Sequence, residues 1–187
     1  MPKPGIEFIP SPNFKARRRP TWAPKEAPTP FINAVVIHYT GSMNLDGTIE
    51  WFKTKVSAVS AHYVIGRDGR IVQMVEEAQS AWHAGRSAMY PLENPPREPG
   101  VNDFSIGIEL VGVADGGFTD KQLATLYEVL ARLVSKYRIP AERVVGHCHI
   151  APGRKIDPDG FDHQFNWAKA REVCQLAFAS KPAPSVA

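Results

Sequence analysis

The chain has 187 residues, of which 43% are hydrophobic and 22% are charged, a composition typical of an ordinary globular protein. This length suits one domain with a full hydrophobic core. Two cysteines, Cys148 and Cys174, are too few for a disulfide-rich scaffold. The net charge of +3 is a slight basic excess, which favours an anionic partner but does not point to nucleic acid.

The two ends of the chain differ from its centre. Residues 1–30 hold eight of the seventeen prolines, which predicts an irregular Pro-rich arm anchored on the domain by Phe8, Phe14 and Trp22. Residues 31–178 form the predicted domain, and 179–187 a disordered tail. The N-terminus lacks the apolar segment of a signal peptide, and no apolar run approaches the ~20 residues that span a bilayer. We therefore expect a cytoplasmic protein with no membrane insertion.

Hydrophobic patterning between these ends predicts alternating strands and helices. Asp68 and Gly69 provide a hairpin turn, Thr119 and Gln122 form a capping pair for the longest helix, and Gly107 suggests that another group approaches its strand closely. The predicted strands are 34–38, 62–65, 70–73, 105–111 and 143–145, and the predicted helices are 45–56, 119–137 and one starting near 166. This alternation predicts an α/β fold, a single domain with a central mixed β-sheet flanked by helices.

Two histidines and one aspartate are the candidate metal ligands. His38 closes the first apolar strand, and His147 follows a short strand that leads into a Gly/Pro-rich loop containing Lys155 and Asp157. Two imidazoles and a carboxylate are a donor set for catalytic zinc, and a neighbouring lysine can stabilise a developing negative charge. The residues suggest metal-assisted hydrolysis. Buried core histidines and a plain Asp-Pro turn remain the alternative interpretation.

Glu109 is the candidate general base. It lies in an apolar strand, and a glutamate is seldom fully buried without a function. In an apolar cleft the pKa of its carboxyl group would rise towards the range useful for proton transfer. The alternative is an edge-strand residue that points into water.

Five segments in fixed order resemble one enzyme family, the zinc-dependent N-acetylmuramoyl-L-alanine amidases of the AmpD type, also called the amidase-2 group. They are residues 37–40 (IHYT), 60–63 (SAHY), 81–85 (AWHAG), 102–110 (NDFSIGIEL) and 146–158 (GHCHIAPGRKIDP). The resemblance covers roughly residues 31 to 174. It implies the fold that this group shares with T7-type lysozyme and the peptidoglycan recognition proteins.

The resemblance also implies roles for particular residues and one Zn²⁺ per chain. His38, His147 and Asp157 correspond to the zinc ligands, Glu109 to the catalytic carboxylate and Lys155 to the cation near the scissile carbonyl. The T7-like branch has a cysteine as third ligand, so the aspartate here favours the AmpD branch.

Other positions in or near these motifs have substrate-binding or structural interpretations. His83 corresponds to a motif histidine that would line the substrate groove, whereas a structural role is expected for His62. Arg154 could bind a substrate carboxylate as a bidentate donor or lie on the surface. Cys148 and His149 depart from the family pattern, in which Asp or Ser-Asp often follows Gly-His.

The implied reaction is hydrolysis of the amide between N-acetylmuramic acid and L-alanine in peptidoglycan or muropeptides. A non-catalytic peptidoglycan-binding module is the alternative function. If the protein is an amidase, two biological roles are possible. One is wall recycling in the cytoplasm, and the other is that of a phage endolysin, which is released to the cell wall at lysis. The slight basic excess leans towards the lytic role. The sequence decides neither this question nor the oligomeric state.

Overall fold

The computed structural model describes residues 5–89, 100–160 and 165–180. Within these segments the chain forms eight strands, five α-helices and two short 3₁₀ helices. The strands are β1 (Glu7–Phe8), β2 (Phe14–Ala16), β3 (Ala34–Tyr39), β4 (Tyr63–Ile65), β5 (Ile71–Gln73), β6 (Gln79–Ala81), β7 (Ser105–Leu110) and β8 (Val144–Gly146). The helices are α1 (Leu45–Lys53), α2 (Val101–Phe104), α3 (Asp120–Tyr137), α4 (His147–Ile150) and α5 (Trp167–Ala179).

A six-stranded mixed sheet organises the described residues. Its strand order is β1-β5-β4-β7-β3-β8, and a separate two-stranded sheet pairs β2 with β6. Strand β3 is parallel to both β7 and β8, and within the described part of the larger sheet β4 and β5 form the antiparallel pair. The predicted α/β class and the hairpin are confirmed.

Local sequence signals set the ends of the main helices. The Asn44 side chain accepts a hydrogen bond from the backbone N–H of Gly47 and so caps α1. Thr119 Oγ1 accepts from the N–H of Gln122, as predicted for α3. The Gln122 side chain does not complete a reciprocal capping box, because its amide donates to two strand carbonyls, those of Ile65 and Val111.

The two faces of the large sheet pack against different layers. Alternate residues of β3 and β7, such as Ile37 and Ile108, pack with Leu130 of α3 and Cys174 of α5 in the main core. The intervening residues point to the other face, where Val36 packs among short segments rather than long helices. His38 and Glu109 belong to this second face by the same alternation. The sheet therefore separates a helix-covered core from a face open enough to hold a site.

The N-terminal arm is held mainly by polar contacts. Of the three aromatic anchors expected there, Trp22 packs edge-on against Phe104, whereas Phe8 and Phe14 are 51% and 44% exposed. Buried Asn13 donates to the backbone carbonyls of Thr54 and Val59 instead. The Phe8 and Phe14 expectation is wrong because β1 and β2 are short edge strands whose backbones, not their side chains, join the sheets.

Two predictions can be compared with the described residues only: the C-terminal boundary of the domain and the absence of a membrane-spanning segment. Helix α5 runs through Ala179, and residues 181–187 of the expected tail lie outside the described segments. Among the helices that the structure describes, none combines the length and the apolar character that crossing a membrane requires.

Gly107 is the point of close approach that the sequence predicted in β7. A Cβ at this position would come within 2.7 Å of His83 Cδ2 and closer still to its Cγ. Contacts this short are not found for real Cβ atoms, so the glycine lets an imidazole lie directly against the strand.

We expect Gly107→Ala to destabilise the protein by about 1–3 kcal/mol, because the new methyl group overpacks a buried ring. Thermal unfolding should show a lower Tm, by about 2–4 °C for each kcal/mol in a domain of this size. Gly112→Ala is the matched control, since a Cβ there first meets Phe118 Cε1 at an ordinary 3.6 Å. Equal Tm values for the two variants would contradict this account.

Candidate metal centre

The carboxyl ends of three neighbouring parallel strands bring the candidate residues together. His38 is the fifth residue of β3, and its register partner on β7 is Glu109. His147 follows directly after β8, the other neighbour of β3. Since strand ends in open α/β sheets commonly face a ligand crevice, the sheet itself supplies three of the predicted residues.

The loop after α4 returns the fourth residue. The backbone N–H of Cys148 in α4 donates to the carbonyl of Asp157 at 2.9 Å, so the end of the loop is hydrogen-bonded back to the helix that precedes it. Gly153 takes a positive φ of 75° within this loop. Asp157 thereby reaches the buried face next to His147, although the two residues are ten positions apart.

Three ligand-type atoms converge in a small triangle. His38 Nδ1 lies 3.0 Å from His147 Nδ1 and 3.0 Å from Asp157 Oδ2, and the His147 Nδ1 to Asp157 Oδ2 distance is 3.1 Å. Atoms bound at ~2.0–2.1 Å around a tetrahedral ion lie about 3.3 Å apart, which is close to these values. All three residues are buried. The triangle fits one small cation.

The protonation of the triangle also suits a cation. Burial lowers the pKa of His38 to about 4, so its imidazole is neutral near pH 7. Burial alone would raise the pKa of Asp157, but the adjacent imidazoles of His147 and His38 lower it well below its usual range. His147 Nε2 lies 3.0 Å from the carbonyl of Ala84, which can only accept, so the neutral His147 ring carries its proton on Nε2 and its lone pair on Nδ1. Metal binding requires these states.

Glu109 faces the same cleft with an unpaired buried oxygen. Burial, with a smaller contribution from the negative charge of Asp157, raises the pKa of its carboxyl group to about 8, while Lys155 acts in the opposite direction. Its Oε2 is buried and has no hydrogen-bond partner. The predicted position in an apolar cleft is present, and the edge-strand alternative is wrong because β7 lies between β4 and β3.

The triangle of ligand atoms lies in an open cleft. This cleft has a volume of about 480 Å³ and is lined by both imidazole ligands, Glu109 and the loop residues Arg154, Lys155 and Asp157. Lys155 is exposed at the rim. The Arg154 guanidinium donates to the carbonyls of Ala84 and Arg86. His83 also lines the cleft, but its side chain is buried.

Two tryptophans line the wall of the cleft, and the sequence did not predict a functional role for either of them. Trp51 lies on α1 and is 53% exposed although its neighbours Ile49 and Phe52 are buried. Trp82 lies just after β6 and also lines the cleft. An aromatic residue on the polar side of an amphipathic helix was the available signal for Trp51.

Cys148, His149 and Asp159 form a second group of metal-ligand residue types nearby. His149 Nδ1 accepts a hydrogen bond from the backbone N–H of Gly146 at 3.0 Å, so a neutral ring carries its proton on Nε2. That is the nitrogen facing Asp159, 3.9 Å away, and it has no lone pair for an ion. Burial, with Asp159 close by, raises the pKa of the Cys148 thiol to about 12. This group is therefore unsuited to metal binding.

The chain matches the Amidase_2 family model, described as N-acetylmuramoyl-L-alanine amidase, over residues 27–160. It therefore belongs to this family of amidases, which cleave the bond between N-acetylmuramic acid and L-alanine. The predicted family, α/β fold and enzyme class are confirmed.

Individual relatives place the chain within the family. It is 38% identical over 154 residues to the 1,6-anhydro-N-acetylmuramyl-L-alanine amidase AmpD of Salmonella typhimurium, which covers 82% of this chain and 76% of that protein. A crystal structure of a selenomethionine AmpD has a TM-score of 0.67 and 34% identity, covering 90% of this chain and 93% of that one. The Escherichia coli amidase AmiD, in complex with anhydro-N-acetylmuramic acid-L-Ala-D-gamma-Glu-L-Lys, has a TM-score of 0.68 and 29% identity, covering 86% and 65%.

We expect Glu109→Gln to stabilise the metal-free protein at alkaline pH. The folded protein holds a proton on Glu109 up to about pH 8, whereas the unfolded chain releases it near 4.5. Stability of the parent protein therefore falls as pH rises between these values, and a neutral amide removes this dependence. The Tm difference, measured in chelator, should grow from pH 4.5 to 8 and stay constant above. Glu50→Gln, at an exposed surface carboxylate, should show no such trend; a flat Glu109→Gln difference would refute the assignment.

Proposed function

We propose that this amidase holds one zinc ion through His38 Nδ1, His147 Nδ1 and Asp157 Oδ2. The observation that carries the proposal is the triangle of these atoms, with sides of 3.0 to 3.1 Å. Two imidazoles and one carboxylate that leave a coordination position open are the donor pattern of catalytic zinc rather than structural zinc. The open cleft next to the triangle gives that position access to substrate and water.

The proposed reaction uses the groups that surround the triangle. Zinc, when bound, supplies Lewis acidity that polarises a carbonyl and makes water more acidic. Glu109 accepts the proton of the attacking water and later passes it to the leaving amine of L-alanine. Its raised pKa suits both steps, because a group that titrates near the working pH can take up and release a proton. The Lys155 ammonium stabilises the oxyanion that develops on the scissile carbonyl.

We propose soluble anhydro-muropeptides as the substrates and wall recycling as the biological role. The AmpD relatives are named as 1,6-anhydro-N-acetylmuramyl-L-alanine amidases, and AmiD has been captured with an anhydro-muramyl peptide. A cytoplasmic location would suit this role and stays a prediction. Substrate contacts of His83 and Arg154 also stay predictions. The lytic role on intact peptidoglycan is the second candidate, favoured by the slight basic excess of the chain.

We expect Glu109→Ala and Asp157→Ala to separate catalysis from metal binding. Glu109→Ala should retain one zinc per chain and lose about 10²–10⁴-fold in kcat, because it removes proton transfer but no ligand. Asp157→Ala should lose zinc on dialysis, since it removes one of three ligands. Metal analysis and product release are the measurements, with Asp115→Ala, at an exposed carboxylate, as the control. Normal turnover by Glu109→Ala would overturn its assignment.

We expect the zinc-loaded protein to release free stem peptide from a soluble anhydro-muropeptide faster than from intact sacculi. Mass spectrometry of the products identifies the bond that is cleaved, and chelated protein serves as the control. Efficient peptide release from sacculi would instead support the lytic role. No peptide from either substrate, with zinc bound, would contradict the proposed reaction and revive the binding-module alternative.

A further inference from the structure

We propose that residues 82–85 (WHAG) position both histidine ligands of the metal centre: the His83 side chain acts on His38, and the carbonyl of Ala84 acts on His147. This inference rests on the proposed zinc centre and adds positioning residues to it. Neither residue bonds to the ion. Each fixes which ring nitrogen of a ligand carries the proton and therefore which one offers a lone pair.

A chain of buried hydrogen bonds runs from α2 to His38. Ser105 Oγ lies 2.6 Å from the carbonyl of Val101, which can only accept, so the hydroxyl proton belongs to that bond. Ser105 Oγ is then an acceptor for His83 Nε2–H at 3.1 Å. A neutral His83 ring with its proton on Nε2 has a lone pair on Nδ1, which faces His38 Nε2 at 3.1 Å. His38 therefore donates from Nε2 to His83.

This direction of the chain leaves His38 Nδ1 without a proton. The lone pair on that nitrogen points towards His147 Nδ1 and Asp157 Oδ2, the other corners of the triangle. If the chain ran the other way, His38 Nδ1 would carry the proton and could not bind an ion. The carbonyl of Val101, by accepting the proton of Ser105, thus sets the tautomer of a metal ligand three hydrogen bonds away.

The second branch is shorter and uses the backbone of the same segment. The carbonyl of Ala84 accepts from His147 Nε2–H at 3.0 Å. Asn102 Oδ1 accepts from the N–H groups of His83 and Ala84, at 3.3 and 2.8 Å, and so fixes the segment to α2. One short stretch of chain therefore supports both imidazole ligands.

The packing of His83 is consistent with a positioning role rather than a substrate contact. Its ring lies against Gly107, where no side chain larger than hydrogen fits, and meets the His38 ring edge-on with 5.2 Å between centroids. His83 is 8% exposed, and both ring nitrogens are engaged by protein atoms. This role differs from the substrate contact predicted from sequence.

Two amide substitutions at the same position test the proposal. In the His83→Asn variant, the side-chain carbonyl oxygen lies where Nδ1 of the histidine stood. It can still accept a hydrogen bond from His38. In the His83→Gln variant, the longer side chain carries its amide to the position of Nε2 of the histidine. It can still form a hydrogen bond with Ser105, but it leaves no acceptor opposite His38. The two variants have the same functional group, so they differ mainly in where it lies.

Zinc affinity, measured by competition with a chelator, is the primary readout for the wild-type protein and both variants. We expect His83→Asn to bind within about threefold of the wild type and His83→Gln to bind about 10–100-fold more weakly. The visible spectrum of the Co²⁺-substituted protein should be unchanged in the Asn variant and altered in the Gln variant. The Tm of the metal-free proteins checks that both variants fold.

Each possible result has a distinct meaning. Wild-type affinity in His83→Gln would overturn the positioning role while leaving the zinc centre intact. Equal weakening in both variants, with equally lowered metal-free Tm values, would show that the ring only fills space and would also overturn it. A wild-type protein that binds no zinc would overturn the proposed metal centre itself. Weak binding by the Gln variant alone, with both variants folded, supports the proposal.

Discussion

The parallel pairing of β3 with both β7 and β8 is the constraint on which the site depends. It places His38, Glu109 and the entry to α4 at one edge of the sheet, and the register opposes His38 to Glu109 directly. Because side chains alternate along a strand, a register shift of one residue on β7 would move Glu109 into the helix-covered core and remove it from the cleft. The apolar contacts of Ile37 and Ile108 with the helices oppose that shift. The main core thus maintains the chemistry on the opposite face.

Burial raises the pKa of both acidic groups that this arrangement brings close together, but their neighbours make the net shifts opposite, downward for Asp157 and upward for Glu109. Asp157 is stabilised as a carboxylate by two imidazoles, whereas Glu109 has no such partner on its buried oxygen and keeps its proton more tightly. One carboxyl group therefore suits a permanent ligand and the other a group that exchanges protons. This division follows from the neighbours of each group rather than from residue type.

The sequence predicted most of the fold and the central residues, for identifiable reasons. The long apolar strands, the Asp68-Gly69 turn and the periodicity of α3 are local signals, and each element is present. The role of Ala84 could not be predicted, because it is a backbone carbonyl and its use depends on where a distant imidazole lies. The short strands of the arm were missed for a related reason: two or three residues carry no usable periodicity, and their pairing with β5 and β6 is a tertiary effect.

The N-terminal arm contacts the elements that support the metal centre. Strand β2 pairs with β6, the strand that leads directly into residues 82–85, and the half-buried Arg17 donates to the carbonyls of Asn102 and Ser105. Residues 82–85 are thus held directly after β6, and through Asn102 of α2, by elements that contact residues upstream of the family match, which starts at residue 27. The first residue of the family match is therefore not the first residue that supports the site. In this chain, contacts to the elements that support the metal centre begin at least ten residues before the family match.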